Sequence, residues 1–396
     1  MLHEDAKLVA IRVPSTKSRS QFCYLLDEGI ENRALVLQED TGMVDGIGGA
    51  TWDGALVLAH VLQQALVRDV TATAAPSSCF SSSSYSSRPL RVVELGCGAG
   101  LLGILAHTLQ PLAEVVLTDK EPDLASANVA ASRVYASMLE FLEAERHPEG
   151  CHASSKKADT DEAANATDAA SGAQMRVLEL PFGEQSFASS ELACSPPPDL
   201  ILGAEIAVLY KQQPLLCQTL DCLAGPHSLV LLSIDGFPAA SSSAEAAAAE
   251  NAVELRVEGA VRGVGGPPKE GYAALLDADM HRRGFLKRVL AVGQITWLKL
   301  GHRQSRPVQE VAQAMELLSA LGAAPTGHGA TCVATFRDVA ALSSQPGQRV
   351  PAAASSAGAG EVTDVQEVHH VVAYFRPELL RDPRGGTLLG GLGVER

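Results

Sequence analysis

Short apolar runs alternate with segments of helical period through the middle of the chain. Such a run predicts a buried strand, and apolar residues recurring every three or four positions predict an amphipathic helix. Strands are predicted at about 90–95, 114–118, 176–180, 199–203 and 228–234, and helices at about 100–109, 123–144, 211–224 and 270–283. This alternation is typical of an α/β fold with a mainly parallel sheet covered by helices on both faces.

The flanking regions are less regular. Short strands are predicted within 20–50, a helix over Thr51 to Val67, and further strands over Phe285 to Val292, 295–300 and 369–375. Low-complexity segments without an apolar period predict loop insertions at 71–88, 146–174, 239–251 and within 301–365. We therefore divide the chain into an N-terminal extension (1–45), a core (46–300), an insertion without an assigned role (301–365), and a closing strand with its tail (366–396).

Composition narrows the class of partner. The chain of 396 residues has a formal net charge of −15 at pH 7, which opposes binding to nucleic-acid phosphates. Its cysteines lack metal-binding spacings, and no apolar run is long enough for a membrane span. We expect a monomer in the cytoplasm, with the nucleus as the alternative location, and no metal, membrane or nucleic-acid partner.

The clearest chemical signal is the glycine-rich segment after the strand predicted at 90–95. Glycines let a backbone approach a ligand closely, and the N-terminus of the following helix offers unpaired N–H groups. Gly96, Gly98 and Gly100 fit a G-x-G-x-G pattern, whereas Gly98, Gly100 and Gly103 fit the G-x-G-x-x-G pattern of dinucleotide sites. The glycines therefore predict a nucleotide-containing cofactor without choosing between the two classes.

Two acids at predicted strand ends support an adenosine-containing cofactor, and the first of them favours one class. Glu94 precedes the glycines, where a carboxylate would repel a pyrophosphate but attract the amino group and sulfonium of S-adenosylmethionine. Asp119 ends the next strand, where a carboxylate can accept hydrogen bonds from both ribose hydroxyls of either cofactor. We therefore expect S-adenosylmethionine rather than NAD.

Four segments together resemble the methyltransferase-like protein-lysine methyltransferases. These enzymes use S-adenosylmethionine and include the lysine methyltransferases of chaperones, of the valosin-containing AAA ATPase and of elongation factors. The segments that carry the resemblance are 48–59, 92–103, 117–119 and 200–205. The resemblance implies a Rossmann-like, seven-stranded, mostly parallel sheet and a lysine-bearing protein substrate.

The resemblance also implies the roles of individual residues. Glu94, Gly96 and Gly98 would form the loop under the cofactor, and Asp119 would hold its ribose. The remaining implied cofactor contacts are Trp52 over the methionine end, Phe182 in place of the family's tryptophan beside adenine, and Ala204 after the fourth strand.

The implied catalytic motif departs from the family pattern. Glu205 opens an acid-x-x-aromatic motif, but Val208 occupies the aromatic position and Tyr210 follows two residues later. We expect Glu205 to orient the substrate amine and Tyr210 to supply the ring that attracts the cationic side chain. The alternatives are a helix-capping role for Glu205 and a surface position for Tyr210. The adjacent His369 and His370 point to opposite faces of a strand and are expected to be structural.

Three other functions are compatible with the sequence. The chain could methylate a small molecule or another side chain, or it could bind the cofactor as an inactive interaction protein. An NAD-dependent oxidoreductase is the third alternative, although the sequence contains no clear second domain that would carry hydride chemistry.

Overall fold

The structure is a computed structural model that describes residues 7–26, 33–42, 48–74, 89–138, 140–141, 175–207, 212–235, 269–299, 332–338 and 368–382. The insertions predicted at 146–174 and 239–251 lie outside the described residues, as do Val208 and Tyr210.

The described residues form twelve strands and six α-helices. In chain order the strands are β1 (Lys7–Pro14), β2 (Arg19–Leu25), β3 (Ala34–Asp40), β4 (Arg91–Leu95), β5 (Glu114–Asp119), β6 (Arg133–Tyr135), β7 (Met175–Glu179), β8 (Leu200–Ala204), β9 (Leu229–Asp235), β10 (Leu286–Lys299), β11 (Cys332–Asp338) and β12 (Val368–Phe375). The helices are α1 (Asp53–Ala74), α2 (Leu101–Leu109), α3 (Asp123–Ala131), α4 (Glu184–Ala188), α5 (Gln213–Leu223) and α6 (Lys269–Arg282).

The chain divides into two compact units. The first comprises Met1–Thr51, Leu66–Glu179 and Trp297–Phe336, and the second comprises Trp52–Ala65, Leu180–Thr296 and Arg337–Arg396. Among the described residues, no helix has the length and apolar character required to cross a membrane.

The first unit contains one antiparallel and one parallel group of strands. The antiparallel group has the order β6-β3-β2-β1-β11, and the parallel group has the order β4-β5-β7. Every residue of β4 is buried, as expected for a strand covered on both faces. Helix α2 packs against β4 and β5, and its first six residues are buried.

The second unit contains the strand order β10-β12-β9-β8. Only β8 and β9 in this group are parallel, because β12 runs antiparallel to both of its neighbours. Helix α5 packs against α4 and α6, with Leu216, Cys217 and Leu220 fully buried.

The α/β fold class predicted from the sequence is confirmed. The strands pair both in parallel and antiparallel, and there are more of them than expected. The described residues contain twelve strands rather than seven, because β1 to β3, β6 and β11 add antiparallel pairs. β11 lies within the region predicted as the insertion 301–365. The five core strands agree with their predicted positions to within one or two residues.

Two helix predictions were wrong at their ends. The helix predicted over 123–144 ends at Ala131, because Ser132 leaves the helical conformation and β6 then pairs with β3. The loop predicted from residue 71 begins later, since α1 continues to Ala74. The strand at 285–292 and that at 295–300 are one strand, β10.

Candidate cofactor and active site

The glycine loop of the first unit follows directly from β4. Gly96, Gly98 and Gly100 all adopt left-handed backbone conformations, with φ of 59°, 51° and 84°. At Gly98, a Cβ atom would lie 2.7 Å from the carbonyl oxygen of Gly48. Backbone conformation and backbone contact therefore both require glycine at this position.

Asp119 lies beside this loop at the end of β5. Parallel pairing places Leu95 opposite Thr118, so β4 and β5 end at the same edge. The Gly98 N–H donates to Asp119 Oδ2 at 2.9 Å, and the Glu121 N–H donates to Oδ1 at 3.1 Å. Asp119 is half-buried. Its carboxylate is thus oriented by two backbone donors at the position where the sequence predicts a ribose contact.

Glu94 lies at the same edge but is buried. Its Oε2 accepts a hydrogen bond of 2.7 Å from the Gly103 N–H in the first turn of α2. The pKa of Glu94 is raised to about 8, chiefly by burial and to a smaller extent by the nearby Asp119 charge, although the backbone donors of Gly103 and Leu102 lower it. The two acids therefore share one edge, and Glu94 also caps the helix that follows the loop.

Asn128 lies on α3 and supports the glycine loop, a role that the sequence analysis missed. Its Nδ2 donates to the Ala99 carbonyl at 2.8 Å and to the Gln38 carbonyl at 2.9 Å, and its Oδ1 accepts from the Gln38 N–H at 2.8 Å. The side chain is 1% exposed. One buried amide thus joins β3, α3 and the glycine loop. The available signal was a polar residue on the buried face of a predicted helix.

A partly buried ion pair holds the segment before α1. Arg12 forms hydrogen bonds of 2.7 and 2.9 Å with the two carboxylate oxygens of Glu39. Glu39 Oε1 also accepts the Thr51 N–H at 2.7 Å, and Arg12 donates to the Thr51 carbonyl at 3.0 Å. The Arg12 guanidinium stacks over the Trp297 ring at 4.3 Å. These contacts fix the end of the 48–51 segment, whose Gly48 touches the loop.

In the second unit, Glu205 follows β8 in an unusual conformation. Its φ is 54°, and it is the one non-glycine residue with positive φ in the described part of the chain. Its N–H donates to the Ser233 carbonyl at 3.0 Å. A left-handed conformation costs a side-chain-bearing residue about 1–2 kcal/mol, so the surrounding structure must impose it.

The Glu205 carboxylate is held inside a polar cluster. Its Oε1 accepts a hydrogen bond of 2.7 Å from the Gly54 N–H in the first turn of α1 and lies 3.2 Å from His369 Nδ1. The side chain is 9% exposed. Glu205 therefore caps a helix, but the helix is α1 rather than the turn that follows Glu205.

The other predicted residues of the second unit differ in exposure. Trp52 is 42% exposed immediately before α1. Phe182 and Ala204 are half-buried, and the adjacent Gly183 N–H donates to Thr219 Oγ1 at 2.8 Å. Tyr210, the second predicted catalytic residue, lies outside the described residues and its role stays a prediction.

Known proteins similar to this chain include lysine methyltransferases. The sequence model of a family described as lysine methyltransferase matches residues 30–147, which contain the glycine loop and Asp119. Protein N-lysine methyltransferase METTL21A of Danio rerio is 30% identical over 204 residues, which cover 52% of this chain and 67% of that protein.

Solved structures show only loose overlaps. One of them is magnesium protoporphyrin IX methyltransferase from Synechocystis PCC 6803 with bound SAH, which is 13% identical in sequence. Its overlap covers 74% of this chain and 89% of the methyltransferase, with a TM-score of 0.28. The YcgJ protein of Bacillus subtilis is 11% identical with a TM-score of 0.28, covering 80% of this chain and 98% of its own. Neither overlap bears on the chemistry.

The family assignment therefore depends on the sequence matches. The matched residues 30–147 contain segments 48–59, 92–103 and 117–119 of the resemblance, and the matches to lysine methyltransferases support S-adenosylmethionine rather than NAD as the cofactor. This chain belongs to the class I protein-lysine methyltransferase family and is an S-adenosylmethionine-dependent methyltransferase.

Proposed function

We propose that this enzyme transfers a methyl group to the ε-amino group of a lysine in a cellular protein. The observation that carries the proposal is the 30% identity to a protein N-lysine methyltransferase over two thirds of that protein's length. The match to the lysine methyltransferase family over residues 30–147 supports it.

The first unit has the features that the cofactor needs. When bound, S-adenosylmethionine supplies an electrophilic methyl group on a sulfonium. Gly96 and Gly98 would allow the backbone to approach this ligand, and Asp119, whose carboxylate is oriented by the Gly98 N–H, would accept the ribose hydroxyls. Glu94 lies at the same edge, and its Oε2 accepts a hydrogen bond from the Gly103 N–H that joins β4 to the start of α2.

The second unit supplies the candidate acceptor for the substrate amine. A free lysine has a pKa of about 10.4 and must lose its proton before its nitrogen can act as a nucleophile. Glu205 offers a fixed carboxylate that can accept a hydrogen bond from this nitrogen and orient its lone pair. Cofactor contacts from Trp52, Phe182 and Ala204 stay predictions from the family resemblance.

A labelling experiment tests the proposed reaction. The purified enzyme is incubated with S-adenosylmethionine tritiated on its methyl group and with lysate from cells that lack the gene. We expect acid-stable label on lysine residues of protein, and we expect Asp119→Ala to abolish it. Label confined to small metabolites, or to protein side chains other than lysine, would overturn the lysine proposal and favour the alternative substrates.

A further inference from the structure

The polar cluster around Glu205 includes a residue of the closing strand. His369 is 1% exposed on β12, and its Nδ1 lies 3.2 Å from Glu205 Oε1. The sequence analysis predicted a merely structural role for this histidine. Its position beside the proposed acceptor carboxylate gives it a more specific one.

Two contacts of the carboxylate converge on one oxygen. Oε1 meets the Gly54 N–H at 2.7 Å on one side and His369 Nδ1 on the other. The Nδ1 contact is close but does not have hydrogen-bond geometry, so its attraction for the carboxylate is electrostatic and is strengthened by the low dielectric of a buried site when the ring carries a proton. Residues of two elements distant in sequence, α1 and β12, therefore lie against the same carboxylate oxygen.

The space around this oxygen is closely filled. A Cβ atom on Gly54 would lie 2.6 Å from Glu205 Oε1 and 2.5 Å from Ser233 Oγ. The Ser233 hydroxyl is buried and makes no hydrogen bond within the described residues. The left-handed backbone of Glu205 adds a further constraint, because it fixes the direction in which the side chain leaves β8. The carboxylate consequently has little freedom of its own.

We infer that His369 is a positioning residue that orients the Glu205 carboxylate for the substrate amine. The inference depends on the proposed function, in which Glu205 accepts a hydrogen bond from lysine. His369 acts through Glu205 and touches neither substrate nor cofactor in this account. Removing its nitrogen would loosen the carboxylate without altering the glycine loop or Asp119, which are the proposed cofactor contacts of the first unit.

Substitution of His369 tests this role, with its neighbour as the matched control. His369→Leu removes the polar nitrogen, whereas His369→Asn can present an amide N–H in its place. His370 is also buried on β12 but points to the opposite face, so His370→Asn controls for the loss of a buried histidine. Burial lowers the pKa of His370 to about 4, so it is neutral at pH 7 and contributes no charge to the strand.

The first readout is the labelling rate at a fixed lysate concentration and varied S-adenosylmethionine. We expect His369→Leu to lower the maximal rate roughly ten- to hundredfold with an unchanged apparent KM for S-adenosylmethionine. His369→Asn should recover part of the rate, and His370→Asn should match the wild type. Full activity of His369→Leu, when Glu205→Gln is inactive, would overturn the inference and leave the proposed function intact.

The second readout does not require lysine methylation. The Gly54 N–H is protected by its bond to Glu205, so its hydrogen exchange reports on the position of the carboxylate. In His369→Leu we expect this exchange to be about tenfold faster, the loss of roughly one hydrogen bond, with no change in His370→Asn. Equal exchange of the Gly54 N–H in His369→Leu and His370→Asn would contradict the positioning role. This readout holds even if the wild type labels no lysine and the proposed function itself fails.

Discussion

Asp119 and Gly98 are coupled by a single hydrogen bond beside the predicted ribose position. The backbone N–H of Gly98 donates to the carboxylate that would accept the ribose hydroxyls. The acid could be predicted because it ends a strand one crossover after the glycines. Its bond to the loop could not, because that bond depends on the left-handed conformation of Gly98.

Replacement of Asp119 by alanine should weaken cofactor binding. The variant loses the hydroxyl acceptor and a partner of the loop, so we expect the Kd for S-adenosylhomocysteine to rise at least about tenfold, or about 1.4 kcal/mol. Isothermal titration calorimetry measures this change. The exposed Asp123, at the start of α3, provides the control, and Asp123→Asn should bind normally. Unchanged affinity in Asp119→Ala would remove this acid from the cofactor site.

Replacement of Gly98 by alanine should damage both the fold and the site. The new Cβ would meet the Gly48 carbonyl oxygen at 2.7 Å, and φ of 51° adds about 1–2 kcal/mol for a residue with a side chain. Urea unfolding should show that the free energy of unfolding falls by more than this conformational cost, because the backbone clash adds to it. Binding of S-adenosylhomocysteine should also be weaker. Gly42→Ala, at a position without positive φ, should cost less. An equal effect of the two substitutions would contradict the account of the loop.

At the scale of elements, the glycine loop is supported by structures on both sides of it in the sequence. Asn128 joins it to β3 and α3, and Glu94 joins β4 to the start of α2. The core strands and helices follow from apolar periodicity and could be predicted. The antiparallel pairs could not, since pairing of β1 with β11 joins residues that are more than three hundred positions apart.

Removal of the Asn128 amide should weaken the loop and the fold together. Asn128→Ala leaves three backbone groups without their partner, of which each costs about 1–3 kcal/mol when buried and unsatisfied. We expect a loss of several kcal/mol in urea unfolding and a higher Kd for S-adenosylhomocysteine. Ser126→Ala, at an exposed position on the same helix, should change neither quantity. Normal cofactor affinity in a folded Asn128→Ala would limit Asn128 to a role in stability.

The buried Glu94 predicts a pH dependence of stability. Its folded pKa of about 8 exceeds the ordinary value of 4.5, so between these values the folded state binds more protons than the unfolded state. Its contribution to stability is therefore lost as pH rises through this window, by at most about 1.4 kcal/mol per pH unit. Urea unfolding at pH 5 to 8 should show a smaller decline in Glu94→Gln than in the wild type.

Glu114 is the control for this measurement. Its hydrogen bond with Arg91 lowers its pKa, so it is ionised in both states throughout the same window. Glu114→Gln should keep the wild-type slope between pH 5 and 8. Identical slopes in wild type and Glu94→Gln would show that Glu94 is not protonated in the folded protein.

At the scale of the whole molecule, cofactor class and fold class follow from a few strongly patterned segments. The glycine loop, Asp119 and the segment that ends in Glu205 were sufficient to predict an S-adenosylmethionine-dependent methyltransferase, and the family matches confirm it. The cluster of Gly54, Ser233, Glu205 and His369 could not be predicted, because its members come from four elements far apart in the chain.

The choice of cofactor also has a direct test on the intact chain. Saturating S-adenosylhomocysteine should raise the Tm, since a ligand present at one hundred times its Kd adds about 2.7 kcal/mol to the stability of the folded state. NADH at the same concentration should leave the Tm unchanged. A shift with NADH alone would contradict the assignment of the glycine loop to S-adenosylmethionine.

The central claim, methylation of protein lysine, is tested most directly by mass spectrometry of methylated lysine in cells with and without this gene. The account predicts at least one lysine site whose methylation disappears when the gene is removed and returns with the wild-type protein, but not with Asp119→Ala. A proteome whose lysine methylation is unchanged by removal of the gene, with methyl groups missing instead from small molecules or other side chains, would contradict it.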